Sequence, residues 1–158
     1  MEKVVFLICV LAVTVYLAVA AWEDYKTCMV SRWKHLLGTI PAIFLFFFNI
    51  NRHGFEEIAI ILAFSTLYIV LGFIGIYGLA DGFVLANLTM FFGSIGGVVS
   101  SGVVLMIMVL AAFSFFICHV IKSIVTHKKI LCKMSGALIP HLLAGYVVVM
   151  GIVIKMLA

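Results

Sequence analysis

The chain has 158 residues, of which 66% are hydrophobic and 10% are charged, and its net charge is +4. Soluble domains carry roughly 25% charged residues, and a soluble domain of this length has too little interior to hide so much apolar surface. The composition therefore excludes a soluble globular protein and predicts an all-α integral membrane protein with membrane lipid as a partner. The basic residues form no stripe with interleaved aromatic residues, so we expect no nucleic-acid partner.

Six apolar runs predict a bundle of about six transmembrane helices in a single membrane-embedded domain over residues 1–158. The first run ends in small residues that resemble a signal-peptidase site, so a cleaved signal peptide is its alternative interpretation. The second run contains Pro41, which is expected to kink the helix. In chain order the runs cover residues 4–21, 35–50, 55–77 and 83–92, then a stretch that ends near 121, and finally 136–157.

The loops between these runs predict an orientation in the membrane. Six spans put the polar loop 22–34, the break 78–82 and the basic segment 122–133 on one side, and this side holds seven of the ten Lys and Arg residues. Because such residues are enriched in cytoplasmic loops, we expect this side to face the cytoplasm and both termini to face outward. The seven residues are Lys26, Arg32, Lys34, Lys122, Lys128, Lys129 and Lys133.

Only two aspartates occur in the chain, and both lie beside predicted spans on that cytoplasmic side. Asp24 follows the first span and Asp81 precedes the fourth. Two carboxylates that converge in a wet notch can share one proton, so that one acid is ionised and the other is neutral. The ionised acid can take a proton from water while the neutral acid polarises a peptide carbonyl. The alternative is structural, with Asp24 capping an interfacial turn and Asp81 capping the fourth helix.

Three motifs around these acids resemble one family of membrane proteases. Asp24 opens the segment Asp-Tyr-Lys-Thr-Cys-Met-Val-Ser, and Asp81 closes the segment Gly-Leu-Ala-Asp. The stretch 137–146 begins with an Ala-Leu-Ile-Pro step and contains small residues. In type, order and spacing the three resemble motifs of the type IV prepilin peptidase and preflagellin peptidase family. The second motif also resembles that of presenilin-type intramembrane proteases.

This resemblance implies the activity and its residues. Asp24 and Asp81 would be the catalytic pair, supported by the motif residues Gly78 and Ala80, with no metal and no cofactor. The substrates would be pilin-like precursors, namely prepilins, pseudopilins or archaellins. Their basic leader would be cut at the cytoplasmic face of the plasma or inner membrane. The chain resembles the short, peptidase-only members, which lack the N-methyltransferase segment and its paired C-x-x-C motifs.

Two positions depart from the pattern of the family. Ser31 stands where proline is common, and Phe83 stands where the family often has a lysine. A contact to substrate or headgroup that the family makes at these positions is therefore in doubt, and so is the substrate preference.

Alternative functions remain open at this point. Asp24 and Asp81 could relay protons or bind cations in a small transporter, although such acids are expected near the bilayer midplane. A non-catalytic scaffold is a third interpretation. His119 and His141 have no acid or cysteine partner at helical spacing, so we expect hydrogen bonds between helices or a wet cavity rather than metal binding. We interpret Glu23 as a solvated loop acid, and we expect no disulfide framework.

Overall fold

The computed structural model of the protein describes residues 2–97, 99–126 and 137–157. This part of the chain forms six α-helices and two single 3₁₀ turns, and it contains no β-strand. The predicted all-α class is therefore confirmed. The helices are α1 (Glu2–Thr27), α2 (His35–Asn49), α3 (Phe55–Ile74), α4 (Leu79–Gly96), α5 (Val99–Thr126) and α6 (Ile139–Leu157), and the 3₁₀ turns are Arg32–Lys34 and Ile50–Arg52.

Four of the described helices, α1, α3, α4 and α5, are long and apolar enough to cross a membrane. A helix rises about 1.5 Å per residue, so a hydrocarbon core of about 30 Å takes roughly 20 residues to cross. The helix α2 has only 15 residues, and the apolar part of α6 is Ile139–Val153. Length and composition thus support membrane spans for four of the six predicted helices.

The helix α4 lies in the interior of the bundle. It packs against α2, α3 and α5, while α1 packs against α2 and α6, and α5 packs against α6. In the apolar stretch of α4, 61% of the residues are buried, against 17–33% in those of α1, α3 and α5. Its fully buried side chains include Val84, Leu88 and Phe91. A polar residue on α4 therefore faces protein more often than lipid.

The predicted end of the first span is wrong, because α1 continues beyond residue 21. Residues 22–27 contain neither glycine nor proline, and the N–H of Cys28 still donates to the carbonyl of Asp24 at 2.7 Å. Cys28 then adopts a left-handed backbone conformation with a φ of 52°, which ends the helix. Glu23 and Asp24, which were predicted to lie in a loop, are therefore helical.

The predicted fourth span is too short at both ends, because α4 covers Leu79–Gly96 rather than 83–92. The break before it lies at 75–78, where Gly75 caps α3 with a φ of 84°. At the other end Gly93 remains helical. A side chain there would meet Ile61 of α3 at 2.8 Å, so this glycine permits close helix packing. Asp81 consequently lies in the first turn of α4.

Among the remaining boundaries, α3 ends at Ile74 rather than at 77, and α5 continues to Thr126 beyond the predicted end near 121. The second and third spans were predicted to begin at residues 35 and 55, where α2 and α3 do begin. The sixth begins at Ile139 rather than at 136. Predictions that concern Lys128, Lys129, Cys132, Lys133 and Gly136 lie outside the described residues.

Candidate aspartate site

Asp24 links the end of α1 to the beginning of α6. Its side chain is only 7% exposed, and its Oδ2 accepts a hydrogen bond of 3.1 Å from the backbone N–H of Ile139, the first residue of α6. The neighbouring amide of Leu138 interacts with the same carboxylate. The first amides of a helix have no partner within the helix and attract negative charge. Asp24 therefore caps a helix, but α6 rather than the interfacial turn proposed from the sequence.

Asp81 caps its own helix. It is the third residue of α4 and is 9% exposed, and its Oδ2 accepts a hydrogen bond of 3.2 Å from the N–H of Gly78. This contact is one half of a capping box. The other carboxylate oxygen of Asp81 has no hydrogen-bond partner within 2–97, 99–126 and 137–157. The capping interpretation is therefore correct for Asp81, but capping uses only one of its two carboxylate oxygens.

The two acids lie within electrostatic range of each other, since the charge of Asp24 acts on the Asp81 carboxyl. In the described part of the chain, no lysine, arginine or histidine forms an ion pair with either acid. Two buried carboxylates without a counter-charge repel each other, and sharing a proton relieves that repulsion. The fold thus places the two acids that the sequence singled out within range of each other's charge, and in the described part of the chain each accepts a hydrogen bond from a backbone amide.

Gly78 and Ala80, the supporting residues of the second motif, have different surroundings. A Cβ on Gly78 would lie 2.9 Å from Oδ2 of Asp81, a distance that real Cβ atoms essentially never show. The backbone of Gly78 is ordinary, with a φ of −64°, so the cost of a side chain here comes from displacing the Asp81 carboxylate rather than from backbone conformation. Ala80 is half-buried and packs against the hydrophobic core. Gly78 therefore leaves room for the Asp81 carboxylate to turn back onto its own helix.

Tyr77 lies in the break before α4, close enough to Asp81 for the charge of that carboxyl to act on the Tyr77 hydroxyl. Its hydroxyl donates a hydrogen bond of 2.7 Å to the carbonyl of Tyr68 in α3. Burial, with smaller contributions from Tyr68 and from the negative charge of Asp81, raises the pKa of Tyr77 to about 12. The hydroxyl therefore stays neutral and ties the break before α4 to α3. The sequence analysis did not single out Tyr77, whose only signal was an aromatic residue adjoining the Gly-Leu-Ala-Asp motif.

Glu23 is not the solvated loop acid that we expected. It lies in α1, and its carboxylate accepts hydrogen bonds from the N–H of Ser31 at 3.1 Å and from the Ser31 hydroxyl at 2.8 Å. It also pairs with the Nζ of Lys34 at 2.9 Å. A proline at position 31, as is common in the family, would lack that N–H. Ser31 therefore anchors the chain after α1, and Glu23 is engaged by partners of its own.

A buried polar network between α1, α2 and α4 escaped the sequence analysis. Tyr16 Oη lies 2.9 Å from Nδ1 of His35, and the Thr39 hydroxyl donates to Oδ1 of Asn87 at 3.0 Å. The ring of Phe83 stacks on His35, with centroids 5.3 Å apart. The aromatic residue at position 83 therefore joins α4 to α2. Polar residues inside apolar runs were the available signal for this network.

His141 makes the interhelical hydrogen bond expected from the sequence. Its Nδ1 lies 2.8 Å from the Ser114 hydroxyl on α5. His119 and His141 also line a common cavity of about 380 Å³. Among the described residues, no three His, Cys, Asp or Glu side chains gather as metal ligands would. The two histidines thus belong to the contact between α5 and α6.

Comparison with known proteins adds no relative to this description. The chain matches no protein-family profile, no curated protein and no solved structure. The resemblance to prepilin peptidases therefore depends on the three sequence motifs alone.

Proposed function

We propose that this protein is a membrane aspartic endopeptidase that removes the basic leader from pilin-like precursors, with Asp24 and Asp81 as its catalytic pair. The observation that carries the proposal is the presence of two buried acids within electrostatic range, neither of which has a cation partner among the described residues. A purely structural acid in a membrane protein is expected to find a counter-charge, since burial of an unpaired charge is costly. The three family-like motifs point to the same pair.

The proposed mechanism uses one shared proton. The ionised carboxylate takes a proton from water, which attacks the peptide carbonyl while the neutral acid hydrogen-bonds to the carbonyl oxygen. The proton taken from water then passes from this carboxyl to the leaving amine as the peptide bond breaks. The amides of Ile139 and Gly78 orient one oxygen of each acid, so the dyad is preorganised by two helix ends. The chemistry proposed here requires no metal or cofactor.

The location of the acids suits a substrate that is cut at a membrane boundary. Asp24 lies one turn before the end of α1, and Asp81 lies in the first turn of α4. In the proposed topology all six helices cross the membrane, both termini face outward, and the dyad faces the cytoplasm of a plasma or inner membrane. A reporter fused after residue 158 should then be active outside the cytoplasm. A cytoplasmic signal from that fusion would contradict the topology.

The decisive experiment is co-expression with a pilin-like precursor from the same organism, with the size of the precursor as readout. The wild type should shorten the precursor. Asp24→Asn and Asp81→Asn should each lower the cleavage rate at least about 10²–10⁴-fold, the range that acid–base catalysis contributes. The matched control is Glu23→Gln, which changes the acid next to Asp24 and should leave most of the activity.

The results distinguish the proposal from its rivals. Normal cleavage by either Asp→Asn variant, inserted at wild-type levels, would rule out the dyad. The transporter alternative predicts instead that these variants lose proton or cation flux in liposomes. That alternative is less well supported, because both acids lie at helix ends rather than at mid-helix, where coupling ions are expected to bind.

A further inference from the structure

The exposed side chains of α1 change in kind near its C-terminal end. They recur at the spacing of one helix face, and up to residue 19 every large one is aliphatic. At Trp22 and Tyr25 the same face becomes aromatic, and Lys26 adds a charge to it. Such a change is typical of a helix that leaves the hydrocarbon core of a bilayer. The large aliphatic members of the face are Val4, Leu7, Ile8, Leu11, Val15 and Val19.

The length of this face fits the thickness of a membrane. Val4 and Trp22 are 18 residues apart, which is about 27 Å of α-helix at about 1.5 Å per residue. The hydrocarbon core of a bilayer is about 30 Å thick. Glu2 and Lys3 precede Val4 in the chain, so charged residues adjoin the aliphatic face at both of its ends.

Lys26 and Trp22 form a pair that suits the headgroup layer. The Nζ of Lys26 lies 4.4 Å from the centroid of the Trp22 ring, a cation–π contact. A lysine charge is costly in the hydrocarbon core. The indole has an apolar body and a polar N–H, so it gains from contact with acyl chains on one side and with water on the other. Both requirements are met where the headgroups adjoin the acyl chains.

Glu23 holds a second tryptophan near the same level. Trp33 lies in the 3₁₀ turn Arg32–Lys34, and the Nζ of Lys34 pairs with the Glu23 carboxylate at 2.9 Å. Because Glu23 directly follows Trp22, this ion pair fastens the turn beside the end of the aliphatic face. Trp22 is 63% exposed and Trp33 is 65% exposed, so both rings are available to lipid.

We propose that Trp22, Lys26 and Trp33 form an interfacial rim that binds the headgroup layer of the bilayer and sets the depth of the protein. Movement in one direction would bury the charge of Lys26, and movement in the other would expose two indole rings to water. Asp24 lies two residues beyond Trp22, about 3 Å further along the helix axis. It is therefore placed at headgroup depth. This inference concerns the position in the membrane and does not depend on the proposed peptidase activity.

The test uses the tryptophans as depth reporters, since the chain contains only these two. Trp33→Phe leaves Trp22 as the sole tryptophan, and Trp22→Phe leaves Trp33. Each full-length variant is reconstituted in phosphatidylcholine vesicles whose acyl chains carry bromine, a short-range quencher of tryptophan fluorescence, near either the carbonyl end or the methyl end. Both tryptophans should lose more fluorescence to bromine near the carbonyl end.

The matched control is Phe113→Trp in a chain that lacks both native tryptophans. Phe113 is 64% exposed and lies near the middle of Gly102–Lys122, the apolar stretch of α5. A tryptophan there should lose more fluorescence to bromine near the methyl end. Circular dichroism first checks that every variant has wild-type helicity.

Three results would overturn the proposal. Stronger quenching of Trp22 or Trp33 by bromine near the methyl end would place the rim inside the hydrocarbon core. Quenching by iodide in the water, with none from either brominated lipid, would place it outside the bilayer. Protection from all three quenchers would show that protein rather than lipid covers the two rings.

Discussion

The two ends of α4 hold acids in opposite ways. At its C-terminal end, Glu57 of α3 accepts a hydrogen bond from Nδ1 of His53 at 3.0 Å, and Nε2 of His53 lies 3.2 Å from the carbonyl of Ser94. Each ring nitrogen of His53 therefore faces an oxygen acceptor, one on Glu57 and one on Ser94. At its N-terminal end, Asp81 lies within range of the charge of Asp24, and its hydrogen bond among the described residues comes from the N–H of Gly78. One end thus joins a carboxylate to a histidine, and the other holds two carboxylates within range of each other's charge.

Because of this contrast, substitutions at the two ends of α4 should affect different properties, stability at one end and chemistry at the other. A carboxylate paired with a cation gains from staying ionised, so it has no reason to take up a proton in a reaction cycle. Two carboxylates that share one proton are poised to give and take it. The end with His53 should therefore respond to substitution through the free energy of unfolding, and the end with Asp81 through the rate of cleavage.

After the two Asp→Asn variants, the largest effect is expected from Gly78→Ala compared with Gly54→Ala. The two glycines precede α4 and α3 with similar extended conformations, but a Cβ on Gly54 meets nothing, whereas one on Gly78 lies 2.9 Å from the Asp81 carboxylate. Gly78→Ala should displace that carboxylate and lower cleavage up to about 10²-fold, the cost of a small misplacement of a catalytic group. Cleavage rates of the two variants at equal expression give the measurement. Equal rates would show that the position of Asp81 is unimportant.

The next effect concerns the close approach of α3 and α4 beside Asp81. A Cβ on Gly82 would lie 2.8 Å from the backbone carbonyl of Tyr68, which cannot rotate away. Gly82→Ala should therefore destabilise the protein by about 1–3 kcal/mol through overpacking. Gly151→Ala is the control, since its Cβ meets nothing and a helical alanine should stabilise by about 0.5–1 kcal/mol. Thermal unfolding in detergent distinguishes them, and a tolerated Gly82→Ala would contradict the packing.

The smallest effect is expected at the end with His53. His53→Gln replaces the ring that contacts Glu57 and Ser94, and it should cost about 1 kcal/mol, because Glu57 is 41% exposed and water partly replaces its partner. Cleavage should remain close to the wild-type rate. Unfolding and cleavage are measured on the same preparation. A strong loss of cleavage at unchanged stability would remove the distinction between the two ends.

Helix order could be predicted well from the sequence, while helix ends could not. The starts of α2 and α3 follow from polar residues that interrupt apolar runs, which is a local signal. The end of α1 was misjudged because Glu23 and Asp24 look like loop residues, yet their carboxylates find partners at Ser31 and Ile139. Such partners stabilise a polar turn within a helix. They cannot be predicted from the polarity of neighbouring residues alone.

The sequence by itself determined the class of the protein. With 66% hydrophobic residues gathered in long apolar runs, a helix satisfies the backbone hydrogen bonds of each run within lipid, because every bond stays inside the segment. It also drew attention to Asp24 and Asp81, since a chain with only two aspartates makes each of them conspicuous.

Only the tertiary structure decided what those aspartates touch. Asp24 and Ile139 are 115 residues apart in the chain, and nothing local to either residue encodes their hydrogen bond. The packing of α1 against α6, and of α2 against both α1 and α4, brings Asp24 to the first amides of α6 and within range of Asp81. The physical reason is that helix ends need partners for their free amides, and the fold determines which acids meet them.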